Sequence, residues 1–345
     1  MYAIVENLPE IPQPERTLLI YDQVLARNSS IFKWIRGFSL RYSVRSGEGL
    51  KDVRNLPAHL QKILGLKSSF DRIVVLGGGS VGDFGGFIAS IYHRGVPVHQ
   101  IPSTWLAALD SAHGGKTALN VGGFKNPVGT FHFPEKVWIV REVLESQPSL
   151  RLHEASGEFL KTAMIGGESL LPKLASWDWW NCKIEWQDLK NFIEVKYKVV
   201  KADPLEKSGH RHILNLGHTM GHVWEARFGL PHGLAVFHGL LFDLAWSVHE
   251  GHFPASRSYK MMDESPWNIT WDRQFQDRID QKLFSLSPQE VRRYLLQDKK
   301  LKADGLRCTF VQKPGQILVK KRTVDQILKE YQRQRKILEE FYENL

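Results

Sequence analysis

Apolar positions in the first 150 residues form short runs that alternate with amphipathic stretches. Buried strands are predicted where an apolar run is bounded by turn residues, over Thr17–Leu25, Arg41–Arg45, Arg72–Gly78 and Val96–Ser103. Helical spacing predicts helices over Leu50–Leu66 and Asp83–His93. Because strands that alternate with helices form parallel sheets, residues 1–150 are predicted to be an α/β domain.

After residue 150 the pattern changes to long helical periodicities with few strand candidates. Helices are predicted over Ala155–Leu174, Glu185–Lys201, Leu214–Arg227, Gly233–Glu250 and Val324–Tyr342. Residues 151–345 are therefore predicted to form a second, mostly α-helical domain. The length of 345 residues is ordinary for a chain of two domains.

The composition is that of a globular protein, with 42% hydrophobic and 24% charged residues. Two cysteines, Cys182 and Cys308, are too few for a disulfide-rich secreted scaffold, and the sequence has no Cys-x-x-Cys pair. No apolar run reaches the ~18 residues that a membrane-spanning helix needs. The first residues lack a basic start followed by an apolar core, so we expect a cytoplasmic protein without a membrane partner.

The chain is basic, with 46 lysine and arginine residues against 37 aspartate and glutamate residues and a formal charge of +9. A positive surplus suits an anionic partner such as a nucleic acid, a membrane surface or a phosphorylated metabolite, but composition alone favours an ordinary solvated basic surface. The sequence has no zinc finger or RNA-binding signature. A nucleic-acid binder is a minor alternative, which would bind DNA in a salt-dependent way without NAD or metal.

One glycine-rich segment has the spacing of a dinucleotide-binding loop. Gly77-Gly-Gly79-Ser-Val-Gly82 fits G-x-G-x-x-G, follows a predicted strand and precedes a predicted helix. Backbone amides at such a helix start can bind a pyrophosphate. The acidic residue expected about 20 positions later is missing, because that region reads His99-Gln100. The loop alone therefore indicates either a dinucleotide site or a tight strand-to-helix turn.

Histidines are concentrated in one part of the second half, where six of the fourteen lie between His210 and His238. His218 and His222 are spaced i, i+4 and share a helical face, and His232 follows after a turn. The His-Glu-x-x-His protease pattern is absent because residue 219 is threonine. Two histidines and one carboxylate would leave the open position of a catalytic zinc site. The spacing leaves open which two histidines bind and which carboxylate joins them.

A series of long motifs resembles the 3-dehydroquinate synthase family of sugar phosphate cyclases. In the first half these are GGGSVGDFGGFIASIYHRG, IPSTWLAALDSAHGGKTALN and FKNPVGTFHFPEKV. In the second half they are SGEFLKTAMIGG, KVVKADPLEKSGHR, LNLGHTMGHVWE, HGLAV and LQDKK, in the order of the family. The resemblance runs from about Asp22 to Lys300 and is far more specific than a single glycine loop. It implies an N-terminal dinucleotide-binding α/β domain with a parallel sheet and a C-terminal helical domain that binds metal and substrate.

The resemblance also implies two cofactors and the residues that bind them. The implied ligands of one divalent metal ion, zinc first and cobalt as a substitute, are Glu158, His218 and His232. The implied NAD-binding residues are Asp22, Glu48, Lys51, Gly77, Gly78, Gly79, Gly82, Asp83, Thr104, Asp110, Lys116 and Lys125. Asp22 and Glu48 would supply the acidic group that the glycine motif lacks.

The substrate residues follow from the same resemblance. The implied substrate-binding set is Arg94, Asp110, Lys116, Asn126, Lys161, Lys196, Arg211, Asn215, His222, Lys299 and Lys300. The catalytic set within it is Lys161, Lys196, Arg211, Asn215 and His222. Arg94 matches a family arginine that reaches the neighbouring subunit's site, so a homodimer is implied.

The implied activity is that of a phosphate-eliminating carbon–oxygen lyase of the shikimate pathway. The family converts 3-deoxy-D-arabino-heptulosonate 7-phosphate into 3-dehydroquinate and phosphate. Its reaction combines transient oxidation at C5 by NAD, elimination of phosphate, reduction, ring opening and an internal aldol closure. Arginine, lysine and asparagine donors suit the phosphate and the carboxylate of this substrate.

Two related enzyme classes remain as alternatives. Other cyclases, similar to 2-deoxy-scyllo-inosose synthase or acting on sedoheptulose 7-phosphate, would share the fold, NAD and the metal. Metal-dependent glycerol dehydrogenases would carry an Asp-x-x-x-His pair where this chain has Glu158-Phe-Leu-Lys161. The chain departs from the family at Leu234, where glutamate is usual, and by one extra residue between Glu206 and Arg211.

Overall fold

The structure is a computed structural model that describes residues 1–66, 68–179, 181–257, 282–297 and 305–343. The chain divides into two compact units, Met1–Leu152 and His153–Leu345. The predicted substrate residues Lys299 and Lys300 lie outside the described residues.

A six-stranded parallel sheet forms the centre of the first unit, which confirms the predicted α/β class. The strands of this unit are β1 (Tyr2–Val5), β2 (Thr17–Asp22), β3 (Leu40–Val44), β4 (Arg72–Gly77), β5 (Val98–Pro102), β6 (Lys116–Val121), β7 (Phe124–Phe131) and β8 (Lys136–Val140). The order in the sheet is β1-β8-β5-β4-β2-β3, and β6 pairs with β7 as a separate antiparallel hairpin. The sequence did not predict β1, β8 or this hairpin.

Both faces of the sheet are buried, which explains the continuous apolar runs in its central strands. In β4, Ile73 and Val75 belong to one hydrophobic cluster, whereas Val74 and Leu76 belong to another. Successive side chains of a strand point to opposite faces, so the two clusters are the cores above and below the sheet. The helices of this part of the chain are α1 (Ser29–Ile35), α2 (Leu56–Leu64), α3 (Gly79–Ile91), α4 (Trp105–Leu109), α5 (Arg141–Glu145) and α6 (Leu150–Glu154).

Several predicted boundaries in the first unit were wrong, for local reasons. The helix predicted from Leu50 begins only at Leu56, after two short 3-10 turns, and a proline occupies its first turn. Proline fits there because the first turn has no partner for its N–H. Strand β2 ends at Asp22, because the Asp22 carboxylate accepts the N–H of Val24 at 3.2 Å and caps a 3-10 turn.

The described part of the second unit is mostly helical, as predicted. Its helices are α7 (Ser156–Gly166), α8 (Leu171–Ala175), α9 (Trp186–Ala202), α10 (His218–Phe228), α11 (His232–His249), α12 (Pro288–Leu296) and α13 (Val324–Glu343). An antiparallel hairpin of β9 (Leu306–Lys313) and β10 (Gln316–Arg322) was not predicted. No helix in the described ranges is long and apolar enough to span a bilayer.

Two glycines interrupt helices that the periodicity had predicted as continuous. The helix predicted over Ala155–Leu174 breaks at Gly167, whose φ is +117°. The helix predicted from Leu214 begins at His218, because Gly217 has a left-handed φ of +78°. Glycine adopts such angles without the steric cost of a Cβ. As a result, His218 stands in the first turn of α10.

Candidate active site

The predicted glycine loop lies at the carboxyl edge of the parallel sheet. Gly77 is the last residue of β4, and α3 begins two residues later at Gly79. A Cβ on Gly77 would lie 2.5 Å from the Cβ of Val81, so only glycine fits this turn. The first turn of α3 contains no acidic residue, which leaves its amides and the positive end of the helix dipole available for an anion.

A recess of about 350 Å³, including its open mouth, lies beside this loop. Its lining includes five residues predicted to bind NAD, Gly77, Gly78, Gly82, Asp83 and Lys116. Side chains from β5 and from the segment after α4 complete the lining, among them Gln100 and Ser111. A glycine turn, the N-terminus of a helix and a lysine fit a bound pyrophosphate, so the residues of this unit suit NAD.

A hydrogen-bond network connects predicted cofactor residues with a predicted substrate residue. The buried Lys51 ammonium donates to Asp83 Oδ2 at 2.5 Å and to Asn126 Oδ1. Asn120 Oδ1 accepts the N–H of Asn126 at 2.9 Å, and Asn120 Nδ2 donates to Glu48 Oε2 at 2.6 Å. The β6–β7 hairpin is thereby tied to the segment 48–51. The sequence analysis had missed Asn120, which supports this arrangement.

The other predicted residues of the first unit lie in several connections. Asp22 ends β2, Thr104 caps α4 by accepting the N–H of Ala107 at 3.2 Å, and Asp110 follows α4. Lys125 is exposed on β7. Arg94 follows α3 and has a positive φ of 68°.

In the second unit, three predicted metal ligands come together from three helices. Glu158 lies in the first turn of α7, whereas His218 and His232 begin α10 and α11. The Nε2 atoms of His218 and His232 lie 3.4 and 3.3 Å from Glu158 Oε1. One donor atom from each residue lies within 4.8 Å of the other two, and the Glu158 side chain is fully buried. The structure thus resolves which carboxylate and which two histidines converge.

Glycines beside the three ligands allow their helices to approach closely. A Cβ on Gly157 would lie 2.0 Å from the carbonyl oxygen of Gly233, and a Cβ on Gly233 would lie 1.9 Å from the carbonyl oxygen of Glu154. A Cβ on Gly217 would lie 2.7 Å from the carbonyl oxygen of Val236. Real Cβ atoms essentially never approach other atoms under 3.0 Å. Main chain therefore packs against main chain at each ligand.

The hydrogen bonds of the two imidazoles orient their Nε2 atoms as donors for a metal ion. His232 Nδ1 donates to Glu225 Oε2 at 2.8 Å, and His218 Nδ1 donates to the carbonyl oxygen of Leu216 at 3.0 Å. Both bonds keep a proton on Nδ1 and direct Nε2 toward Glu158, so each ring can bind a metal ion through Nε2 once that atom carries no proton. Two imidazoles with such supports and one carboxylate fit Zn²⁺.

Glu225 is a supporting residue that sequence reasoning missed. It lies seven residues after His218 on α10, a spacing that places both on one helical face and could have drawn attention to it. Burial alone would lower the pKa of His232, but hydrogen bonds to Glu158 and Glu225 raise it to about 9. A cation that binds here therefore displaces a proton.

Two further predicted residues lie beside the ligands. The Lys161 ammonium, one turn after Glu158, is buried and forms an ion pair with Glu158 Oε2. The His222 ring centroid lies 5.2 Å from that of His218 and 6.3 Å from that of His232. His222 does not belong to the group of three converging donors. A cation and an imidazole thus border the proposed metal position.

A loop before α10 holds the predicted substrate residue Arg211. The Arg211 side chain is buried and donates from Nη1 to the carbonyl oxygen of Pro204 at 2.8 Å. The carboxylate of Asp203 accepts the N–H of Ser208 at 3.1 Å and the N–H of Arg211 at 3.3 Å. Asp203 therefore organises the loop, although sequence analysis had not selected it.

Two further predicted residues of this unit lie on the helix before that loop and at the end of the loop. Lys196 is buried on α9, and Asn215 Nδ2 lies 3.3 Å from His212 Nδ1. Glu206, next to the extra residue of this chain, has a positive φ of 56°. Its Oε1 lies 3.9 Å from Arg211 Nε, which is too long for a hydrogen bond.

Replacing Asp203 by asparagine is expected to reduce the acid sensitivity of the protein. Burial alone would raise the pKa of Asp203, but the N–H groups of Ser208 and Arg211 lower it from 3.8 to about 2. Its stabilising effect is present above pH 3.8 and is lost as the pH falls through about 2. The difference in melting temperature between wild type and D203N should shrink over that interval in calorimetry. A difference that stays constant would contradict this role.

Comparison with solved structures shows which proteins share this fold. A 2-deoxy-scyllo-inosose synthase complexed with carbaglucose-6-phosphate, NAD⁺ and Co²⁺ matches with a TM-score of 0.78 and 21% identity, over 96% of each chain. A 2-epi-5-epi-valiolone synthase from Streptomyces hygroscopicus with NAD⁺ and Zn²⁺ matches with a TM-score of 0.79 and 18% identity, over 99% of this chain and 96% of that one. The chain thus has the fold of the sugar phosphate cyclases.

Sequence comparison shows the family. Residues 41–154 match the model of the 3-dehydroquinate synthase N-terminal domain, and residues 155–301 match that of the C-terminal domain. A 3-dehydroquinate synthase of Methylacidiphilum infernorum is 34% identical over 302 residues, which cover 84% of this chain and 79% of that protein. The chain belongs to the 3-dehydroquinate synthase family.

Proposed function

We propose that this protein converts 3-deoxy-D-arabino-heptulosonate 7-phosphate into 3-dehydroquinate and phosphate. Membership of the family supports this activity over the related cyclases and the glycerol dehydrogenases. The observation that carries the proposal is the convergence of Glu158, His218 and His232 in a chain with a complete glycine loop. We further propose that it acts in the cytoplasm as a homodimer in which Arg94 reaches the neighbouring site.

The proposed cofactors are NAD, bound at the glycine loop of the first unit, and one Zn²⁺, bound by Glu158, His218 and His232. Two nitrogen donors and one carboxylate are a ligand set of catalytic zinc sites, and Co²⁺ is a chemically similar substitute. When bound, NAD would accept and return a hydride at C5 of the substrate, and the cation would acidify the C5 hydroxyl.

The side chains of the protein then have two tasks in this proposal. Lys161 and His222 orient the substrate hydroxyls and hold or move a proton, because both border the three ligands. The other predicted substrate residues bind the phosphate and the carboxylate through charge-assisted hydrogen bonds, which suits Lys116, Asn126, Lys196, Arg211 and Asn215. The substrate's own phosphate oxygens are proposed to take the proton during elimination.

Assays with a panel of substrates test this function. The purified full chain is freed of metal, reconstituted with Zn²⁺ and NAD⁺, and given the heptulosonate phosphate, sedoheptulose 7-phosphate, glucose 6-phosphate or glycerol. We expect phosphate and 3-dehydroquinate in equal amounts from the heptulosonate phosphate, without net NADH, because the hydride is returned in each turnover.

Three results would contradict the proposal. The first is no phosphate release after metal reconstitution. The second is faster cyclisation of a sugar phosphate that lacks the carboxylate, which would favour a related cyclase. The third is accumulation of NADH with glycerol, which would favour a dehydrogenase. The metal-free protein is the matched control and is expected to be inactive with every substrate.

A further inference from the structure

A buried carboxylate stands in the middle of the apolar helix α11. Asp243 is 1% exposed, and its neighbours Phe242 and Leu244 are also buried. Its Oδ2 accepts the N–H of Gly217 at 2.8 Å and the hydroxyl of Thr309 at 2.9 Å. Its Oδ1 has no hydrogen-bond partner among the described residues. Burying a carboxyl group costs free energy unless it makes such bonds. A buried carboxyl group with one oxygen unbonded therefore indicates a role beyond packing.

The peptide group that Asp243 contacts is also the one that holds a proposed metal ligand. The N–H of Gly217 and the carbonyl of Leu216 belong to the same peptide plane. The N–H donates to Asp243, and the carbonyl oxygen accepts from His218 Nδ1 at 3.0 Å. Asp243 and His218 therefore bind opposite ends of one rigid group.

We propose that Asp243 is a positioning residue of the metal centre, acting on His218 through the Leu216–Gly217 peptide group. Asp243 fixes the orientation of that peptide, and its carbonyl in turn keeps His218 in the Nδ1–H tautomer with Nε2 toward Glu158. This inference rests on the proposed metal site at Glu158, His218 and His232.

Each histidine of the site is then hydrogen-bonded to a carboxyl group, one of them directly and the other through a peptide group. His232 donates directly to the carboxylate of Glu225, whereas His218 reaches a carboxylate through one intervening peptide. Hydrogen bonds in a chain polarise one another, so an acceptor oxygen at the N–H end strengthens the carbonyl at the other end as an acceptor. A stronger acceptor at Nδ1–H makes Nε2 a better metal ligand.

The contact with Thr309 fixes the carboxylate itself. Thr309 lies on β9 and is 1% exposed. Its hydroxyl binds the same oxygen that accepts from Gly217, so Oδ2 is held between β9 and the start of α10. Oδ2 can accept in either protonation state of the carboxyl, so the support does not depend on its charge.

Three variants separate this role from ordinary packing. D243A removes the acceptor, and D243N keeps an oxygen that can accept from Gly217. S247A is the matched control, because Ser247 lies one turn later on α11, is fully buried and accepts the N–H of Val311 on β9 at 2.9 Å. Its hydroxyl donates to the main-chain carbonyl of Asp243 at 2.6 Å, so S247A removes buried hydrogen bonds at this place but leaves the Asp243 carboxyl group intact. The Zn²⁺ dissociation constant is measured by chelator competition, the Co²⁺ site by its visible absorption and the metal-free fold by its melting temperature.

D243A is expected to weaken Zn²⁺ binding at least about tenfold and to change the Co²⁺ spectrum, as is typical when an outer support of a metal ligand is lost. D243N should bind Zn²⁺ within about threefold of wild type, and S247A should match wild type even if its melting temperature falls. The inference is overturned if D243A binds Zn²⁺ within threefold of wild type, or if S247A loses as much affinity as D243A.

A second measurement covers the case in which D243A does not fold. Nitrogen NMR of the metal-free wild-type protein, labelled in histidine and assigned with H218Q, should show His218 protonated at Nδ1, as its hydrogen bond to the carbonyl of Leu216 requires. Finding Nδ1 without a proton would overturn the inference. A wild-type protein that binds no Zn²⁺ would instead refute the proposed metal site, so the two failures are distinguishable.

Discussion

Replacing Glu158 by glutamine is expected to reduce kcat/KM at least about 10³-fold, because a bound cation supplies several kcal/mol of charge stabilisation in such reactions. The substitution keeps the shape of the side chain but removes the only carboxylate of the converging group. Its Oε1 lies 3.4 Å from Nε2 of His218 and 3.3 Å from Nε2 of His232. Metal content, measured by mass spectrometry after dialysis, should fall together with activity.

A control variant and a double variant make this result specific. E168Q changes an exposed glutamate that follows α7 and should retain wild-type activity and metal content. E158Q also leaves the buried Lys161 ammonium without its ion-pair partner, which destabilises the fold. Adding Lys161→Met should restore stability to E158Q without restoring metal binding. Wild-type metal content in E158Q would refute the assignment of Glu158 as a ligand.

Replacing Gly233 by alanine is expected to destabilise the protein by about 3 kcal/mol, at the upper end of the usual cost of overpacking. The new Cβ would lie 1.9 Å from the carbonyl oxygen of Glu154 and 3.2 Å from the Cα of Ala155. Both are main-chain atoms, so the start of α11 must move. His232 is the preceding residue, and Zn²⁺ affinity should therefore fall as well. Urea unfolding measures the first effect and chelator competition the second.

A glycine in open space provides the comparison for G233A. A Cβ on Gly49 would meet no atom within 4 Å, and its φ is not in the left-handed region. Gly49→Ala should change the free energy of unfolding by less than about 0.5 kcal/mol. If G233A also unfolds within that margin of wild type, main-chain contact at the ligands is not what fixes their helices.

Local pattern predicted the elements well where a signal is contained in a few neighbouring residues. The apolar run around Ile73–Leu76 predicted the central strand, and the histidine spacing predicted the helix of His218 and His222. The same patterns did not predict elements that depend on a partner far along the chain. The strand β1 pairs with β8, more than a hundred residues away, and four residues are too few for a clear period.

The same distinction holds for the candidate site. The motif resemblance predicted Glu158, whereas spacing alone left the carboxylate open, since Glu158 lies on a different helix from the histidines. Glu225 carried a weak local signal through its helical spacing. Asp243 interrupted an apolar run, but nothing near it in the sequence indicated that its partner is Gly217.

The sequence by itself determined the α/β and helical halves, the glycine loop, the family and the ligand types, because these depend on residue identity and short-range spacing. Tertiary structure alone decided that the three ligands converge, that Lys51 connects Asp83 with Asn126 and that Asp243 supports the turn of His218. These arrangements require close packing of elements distant in the chain. Such packing depends on how many side chains from different elements fit together at once, and the spacing of residues along the chain does not show this.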